Sequence, residues 1–212
     1  EERELGVALV DIGSGTTDIA VFHDGTVRHS AVLSVGGNHL TNDIAAGLRT
    51  PTADAERIKQ RYGLAKASTV SGDQRVEVSS VAGKAAGTVS RQILCEIIEP
   101  RMEEIFQLVQ REIAKSGYEG SLASGVVMTG GSMLLPGAVE TAEQVFGMPA
   151  RLGSPTHVVG LVDVVSSPVY AASVGLVLCG MKRQERAFAR FRDDRILAKV
   201  KHRMSDWLSE FF

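Results

Sequence analysis

A chain of 212 residues, 44% apolar and 23% charged, has room for one or two domains around a sizeable core and the composition of an ordinary globular protein. No apolar run reaches about eighteen residues, so no spanning helix is expected, and the acidic start, EERELGVALV, has no signal-peptide pattern. The net charge of −2 is unevenly spread: residues 182–203 carry nine Lys/Arg against Glu185, Asp193 and Asp194, a net +6 beside an acidic body, which suits an anionic partner.

In chain order, residues 5–12 read as a buried strand. Residues 18–23 and 27–34 read as two more, joined at HDGT by a hairpin signal, so the three form a meander. Residues 36–48, GGNHLTNDIAAGL, open on glycines and continue with helical periodicity. A second helix is expected over 52–62, with Pro51 before it and Gly63 after it. Within 64–82, SGDQRVEVSSV predicts a short hairpin turning at Gly72-Asp73. A long helix follows over 88–115, with Ile93, Ile97, Met102, Ile105, Phe106 and Val109 on its buried face and a kink at Pro100. GVVMTGG, 125–131, is a strand running into glycines, followed by a helix over 136–146, a short strand over 150–152 and an apolar helix of small residues over 168–181. The order predicts a mixed α/β layer architecture, with 64–118 as a small inserted subdomain. Cys95 and Cys179, far apart in apolar stretches, read as buried free thiols, and the five histidines show no ligand spacing.

The residues with chemistry cluster at glycines. DIGSGTTDI, 11–19, offers two readings: an Asx-type hairpin turn, or a phosphate cradle in which Gly13 and Gly15 permit close approach, turn amides form an anion-binding concavity, and Ser14, Thr16 and Thr17 add hydroxyls. Asp11, at the strand end, is a candidate to hold a hydrated Mg²⁺ or a water. The sequence is not a Walker A loop, because no GK[ST] follows. Gly36-Gly37-Asn38 precedes one helix and Gly130-Gly131-Ser132 follows a strand toward another. Either alone is a cap or a packing site, but three such loops at strand ends suit one shared ligand. No metal site of side chains alone is assigned, and no catalytic residue.

A charged linker over 183–195 leads to a last helix over 196–212. On a helical wheel Ile196, Leu197, Val200, Met204, Trp207, Leu208, Phe211 and Phe212 share one arc, and Lys199, His202, Arg203, Asp206 and Glu210 fill the other side. Its length of about 25 Å and its charged face predict a helix lying in the plane of an anionic membrane surface. Nucleic acid is not expected as a partner.

DIGSGTTDIAVFHDG resembles the second phosphate motif of the actin-like ATPase superfamily, and VVMTGGSMLLPG its adenosine motif. DAERIKQRYG, 54–63, resembles the helix whose Glu and Lys reach the ribose, which makes Glu56 and Lys59 candidates; their spacing of three puts them on one face. GGNHLTNDIA, PTADAERIKQRYG, ILCEIIEPRMEEI, VVMTGGSMLLPG and VYAASVGL together resemble, in order and spacing, the FtsA family of bacterial division proteins over about residues 5–181. That resemblance implies an actin-like (ribonuclease-H-like) domain, subdomain 2A, over 1–63 and 119–182. It implies an inserted α+β subdomain, 2B, over 64–118, and a C-terminal amphipathic helix. It implies ATP with Mg²⁺ and at most weak ATPase activity. The partners it implies are the FtsZ C-terminal peptide, further copies in a filament and the inner face of the cytoplasmic membrane at the division site. Arg91 and Arg101 are candidates for pairing with an acidic peptide. Family members carry a preceding half with the first phosphate motif, which is expected to be missing before Glu1. The alternatives are another actin-fold protein, such as a pilus-assembly scaffold, or an actin-fold ATPase or kinase.

Overall fold

The computed structural model describes residues 1–70, 74–79, 87–156, 158, 165–184 and 203. The Gly72-Asp73 turn, most of the 183–195 linker and all of the 196–212 stretch except Arg203 lie outside the described residues. Residues 1–171 form one compact unit and 172–212 a second.

A five-stranded sheet organises the first unit. A short helix, α1 (Glu2–Leu5), leads into β1 (Val7–Ile12), β2 (Thr17–His23) and β3 (Thr26–Leu33), the expected antiparallel meander. Asp24 and Gly25, both at positive φ, make the β2–β3 turn, the twist that a two-residue hairpin requires. Strands β6 (Val126–Thr129) and β7 (Ala150–Leu152) extend the sheet in parallel, giving the order β3-β2-β1-β6-β7. Alternation decides which face is buried. Ala8, Val10 and Ile12 from β1, with Thr17, Ile19 and Val21 from β2, point into the core.

Four helices complete that core: α2 (Gly37–Leu48), α3 (Thr52–Tyr62), α4 (Arg91–Lys115) and α5 (Ala138–Phe146). Helix α4 runs through Pro100 and packs against α2 and α5. It starts three residues later than its periodicity suggested. Thr88-Val89-Ser90 is strand instead, and the Ser90 hydroxyl caps the helix by accepting from the Gln92 amide at 3.2 Å. Its buried face also differs from expectation. Leu94, Cys95 and Ile98 are buried with Met102, Ile105, Phe106, Val109 and Ile113, while Ile93 is 48% exposed. Stepping back from Met102 by four residues reaches Ile98 and then Leu94; Ile97 lies five away, off the stripe.

The hairpin expected around Gly72-Asp73 takes another form. Strand β4 (Arg75–Val78) pairs with β5 (Gly87–Ser90), so the two strands come from either side of 79–86. Val76 and Val78 of this small sheet are buried against the main core. Gly63 ends α3 as expected, but for another reason. Its φ is −63°, and a Cβ there would lie 2.4 Å from the Lys59 carbonyl oxygen and 2.8 Å from Leu135 Cδ1. The glycine serves close packing, not a left-handed cap.

In the second unit, 172–184 is helical. Leu176, Val177 and Met181 are exposed, and so is Cys179, against the expectation of two buried thiols; Cys95 is buried. Among the described residues, no helix is long and apolar enough to cross a membrane.

Candidate functional site

The three glycine loops meet. The β1–β2 turn closes on itself through the Gly13 amide and the Thr16 carbonyl, 2.9 Å. The outward carbonyl of Gly13 then accepts from two other loops: the Gly37 amide at 2.9 Å and the Ser132 hydroxyl at 3.1 Å. The Ser14 carbonyl accepts from the Asn38 amide at 2.7 Å. The first two amides of α2 are thereby satisfied.

Glycine is what lets these backbones approach. A Cβ on Gly36 would sit 2.7 Å from the Gly13 carbonyl oxygen, and one on Gly37 2.6 Å from Ser132 Oγ. Gly130, at φ +94°, would place a Cβ 2.4 Å from both Asp11 Oδ1 and the Ile12 carbonyl oxygen. Gly15 is different, since nothing lies within 4 Å of a Cβ there.

The loops border a cleft of about 450 Å³, the size of a small-ligand pocket. Gly13, Ser14, Gly37, Gly131 and Ser132 line one part, and Glu56 and Lys59 of α3 another. Leu134, Leu135, Pro136 and Val169 give it an apolar wall. The amides of Ser14, Gly15, Thr16, Gly131 and Ser132 donate to no acceptor among the described residues. That donor set suits an anion.

Lys59 and Glu56 form a network with Thr41 of α2. The Lys59 ammonium donates to the Gly37 carbonyl (3.0 Å) and the Thr41 hydroxyl (2.8 Å), and pairs with Glu56 Oε2 at 2.7 Å. Glu56 also accepts from the Thr41 hydroxyl and, on Oε1, from Gln60 Nε2 at 2.8 Å. Burial pushes the Glu56 carboxyl up, but the hydrogen bonds from Lys59, Thr41 and Gln60 outweigh it and hold the group below its ordinary value. A depressed carboxylate stabilises the fold above its unfolded pKa, and that stability is lost as pH falls through the folded pKa. Glu56→Gln should therefore melt below the unsubstituted chain at pH 7, with the gap closing as the pH drops below about 4. Thermal melts across that range check this; a constant gap would contradict it.

Asp11, next to last in β1, lies opposite Asp18 in register. Burial first, then the Asp18 charge, pushes its carboxyl up. Among the described residues, no three His, Cys, Asp or Glu side chains gather as a metal site. Thr17 is fully buried and its hydroxyl donates to the Val35 carbonyl at 2.8 Å, while Thr16 bonds to Asp18 at 3.3 Å. Arg91 donates to the Tyr62 carbonyl and to Gln74, and Arg101 to Asp43 and Glu104, so both guanidinium groups are engaged within the chain. Sequence reasoning missed Thr41, Gln60 and the apolar wall. The available signal was helical spacing: Thr41 follows Gly37, and Gln60 follows Glu56, by four residues.

The sheet order and the loop cluster beside it define an actin-like fold, and solved structures agree. A structure of Spiroplasma citri MreB5 bound to ADP matches with a TM-score of 0.68 at 18% identity, over 87% of this chain and 56% of that one. A chain of a PilM-PilN type IV pilus biogenesis complex matches with a TM-score of 0.61 at 17% identity, over 84% of this chain and 47% of that one. Residues 8–175 match the family model described as cell division protein FtsA, so the chain belongs to the FtsA family. It is 45% identical to cell division protein FtsA of Pseudomonas aeruginosa and 40% identical to that of Escherichia coli K12. All of this chain is covered in both, against 52% and 53% of those proteins, so it spans about half the length of the curated relatives it matches.

Proposed function

We propose that the chain serves an ATP-binding, actin-like division protein that tethers FtsZ filaments to the inner face of the cytoplasmic membrane, assembles into filaments and recruits later division proteins. The observation that carries the nucleotide part is the interlocking of three glycine loops around one cleft, with five uncommitted amides among the described residues. The Ser14–Thr16 amides would receive a phosphate, and the apolar wall of Leu134, Leu135, Pro136 and Val169 would suit a purine base. Asp11, with Asp18 beside it, would hold a hydrated Mg²⁺, which supplies neutralising charge to phosphate oxygens. The MreB5 structures with ADP and with AMPPNP support nucleotide binding in this fold, and the double helical filament of MamK supports assembly. Membrane attachment rests on the amphipathic pattern of 196–212, including Trp207.

An amide-resolved NMR titration with millimolar ATP and Mg²⁺ tests the cleft. Resonances of Gly13, Ser14, Gly37, Gly131 and Ser132 should move saturably; no shift among them overturns the nucleotide reading. Flotation with anionic vesicles tests the tether: the full chain should float, while the chain lacking 196–212, or carrying Trp207→Glu, should stay at the bottom. Equal flotation of all three would refute the anchor.

A further inference from the structure

We propose that His39 is a positioning residue of the cleft: its neutral imidazole holds the second glycine loop against the first, so ligand binding follows the protonation of this one side chain. The effect on the ligand rests on the nucleotide reading above; the hold on the loop does not. Gly36 and Gly37 are both buried. The Gly37 amide donates to the Gly13 carbonyl, whereas the Gly36 amide donates to His39 Nδ1 at 3.2 Å, its one acceptor among the described residues. A Cβ on Gly36 would lie 2.7 Å from the Gly13 carbonyl oxygen and 2.9 Å from that of Ser14. This backbone is wedged, and its amide cannot turn to water without parting the two loops.

His39 is the third residue of α2, where a glutamate or glutamine ordinarily reaches back to the amide before the helix. Those side chains keep an acceptor through the neutral range. An imidazole does not. Because an amide can only donate, Nδ1 carries the lone pair and Nε2 the hydrogen. A second proton, which an imidazole takes up at about pH 6.5, goes onto Nδ1, the atom the amide needs. The imidazolium then meets Gly36 donor to donor, and it brings positive charge to the start of a helix, where the aligned amides repel it. Among the described residues no carboxylate pairs with His39; the histidines that have one are His23 and His29. Helices α3 and α4 pack on α2, and the charges they turn toward it are committed: Lys59 to Glu56, and Arg101 to Asp43 and Glu104. Asp11 and Asp18 flank the first loop. A Gly36 amide that has lost its acceptor must be hydrated, and opening the loop to do so gives up the Gly37–Gly13 and Asn38–Ser14 hydrogen bonds. His39 does not line the cleft, but Ser14, Gly37 and Asn38 do, so its proton reaches a ligand through Gly36.

The test records amide spectra of the full chain from about pH 8 to about pH 5.5, either side of the imidazole value. It uses the unsubstituted protein, His39→Gln and His39→Ala, each with and without ATP and Mg²⁺. Without nucleotide, the Gly36 and Gly37 resonances should move with the midpoint of the His39 ring protons, and should stay still in His39→Gln. ATP affinity of the unsubstituted chain should fall about tenfold or more across that range, as for a buried amide left unpaired. His39→Gln should match the unsubstituted chain at the alkaline end and keep that affinity at the acid end, while His39→Ala should be weak throughout. Asp11, Glu56 and the nucleotide phosphates are common to all three chains, so the comparison isolates the imidazole. A Gly36 resonance indifferent to the His39 midpoint overturns the proposal, and that reading needs no variant to fold. An equal acid loss in His39→Gln overturns it as well. His39→Gln as weak as His39→Ala at the alkaline end shows a merely structural role and does the same. If ATP shifts nothing in any chain, the nucleotide reading falls and takes the effect on the ligand with it, while the Gly36 resonance still decides the hold on the loop.

Discussion

Gly130→Ala should lower the stability of the chain by about 2–5 kcal/mol, combining about 1–2 for a side chain in the left-handed region with about 1–3 for overpacking. Gly130 has φ +94°, and the added methyl would fall 2.4 Å from Asp11 Oδ1 and from the Ile12 carbonyl oxygen. A side chain can rotate away, but the Ile12 carbonyl is held in the central strand and cannot. The loop carrying Gly131 and Ser132 must shift instead, and the Ser132 contact to Gly13 should go with it. The thermal midpoint should fall by about 2–4 °C per kcal/mol, and the Gly13 amide resonance should move. Gly15→Ala is the matched comparison. It sits in the neighbouring loop with open space around it, so its effect should stay within about 0.5 kcal/mol. Equal melting of the two variants would refute the account of the third loop.

Phe106→Ala should cost about 3–5 kcal/mol, the range for emptying an aromatic site in a packed core. Phe106 is fully buried on α4 and meets the Phe146 ring edge-on, centroids 5.7 Å apart at 66°. That contact joins α4 to α5, so the cavity would open between two helices that cannot close it without sliding. Ile93→Ala, on the same helix but half exposed, should change stability by less than about 0.5 kcal/mol. Denaturant unfolding of the two variants measures both. A larger loss at Ile93 than at Phe106 would show the buried face of α4 to be misassigned.

That face marks where sequence stops being sufficient. Strands β1 to β3 were legible because buried alternation and a two-residue Asp-Gly turn are local signals. The glycine loops were legible as candidates for the same reason. On α4, nearly every turn offers an apolar residue on two adjacent stripes, and the choice between Ile93-Ile97 and Leu94-Ile98 is made by the helices it meets. The partner of β4 depended on a strand beyond 79–86, which no turn dipeptide announces. For Thr41 helical spacing pointed only to Gly37; its partners Glu56 and Lys59 lie on a different helix, fifteen and eighteen residues on. Gly63 shows a subtler case, in which the right residue was expected for the wrong cause. Its position at a helix end suggested left-handed backbone, whereas Leu135 and Ile98, distant in sequence, are what exclude a side chain.

The Gly13 carbonyl holds the starts of α2 and of the Gly131–Leu134 turn in one place. A main-chain oxygen is present whatever the codon, so no substitution at position 13 can delete that anchor as it could delete a side-chain ligand. The neighbouring side chains that line the cleft, Ser14 and Asn38, carry little of this tie, because it is their main-chain atoms that bond. At positions 14 and 38 assembly and selectivity are therefore uncoupled, whereas the Ser132 hydroxyl serves the tie from within the cleft lining. Exchanging the side chains at 14 and 38 can retune what the cleft prefers without dismantling it, and the mutational tolerance of the rim should exceed that of the glycines behind it.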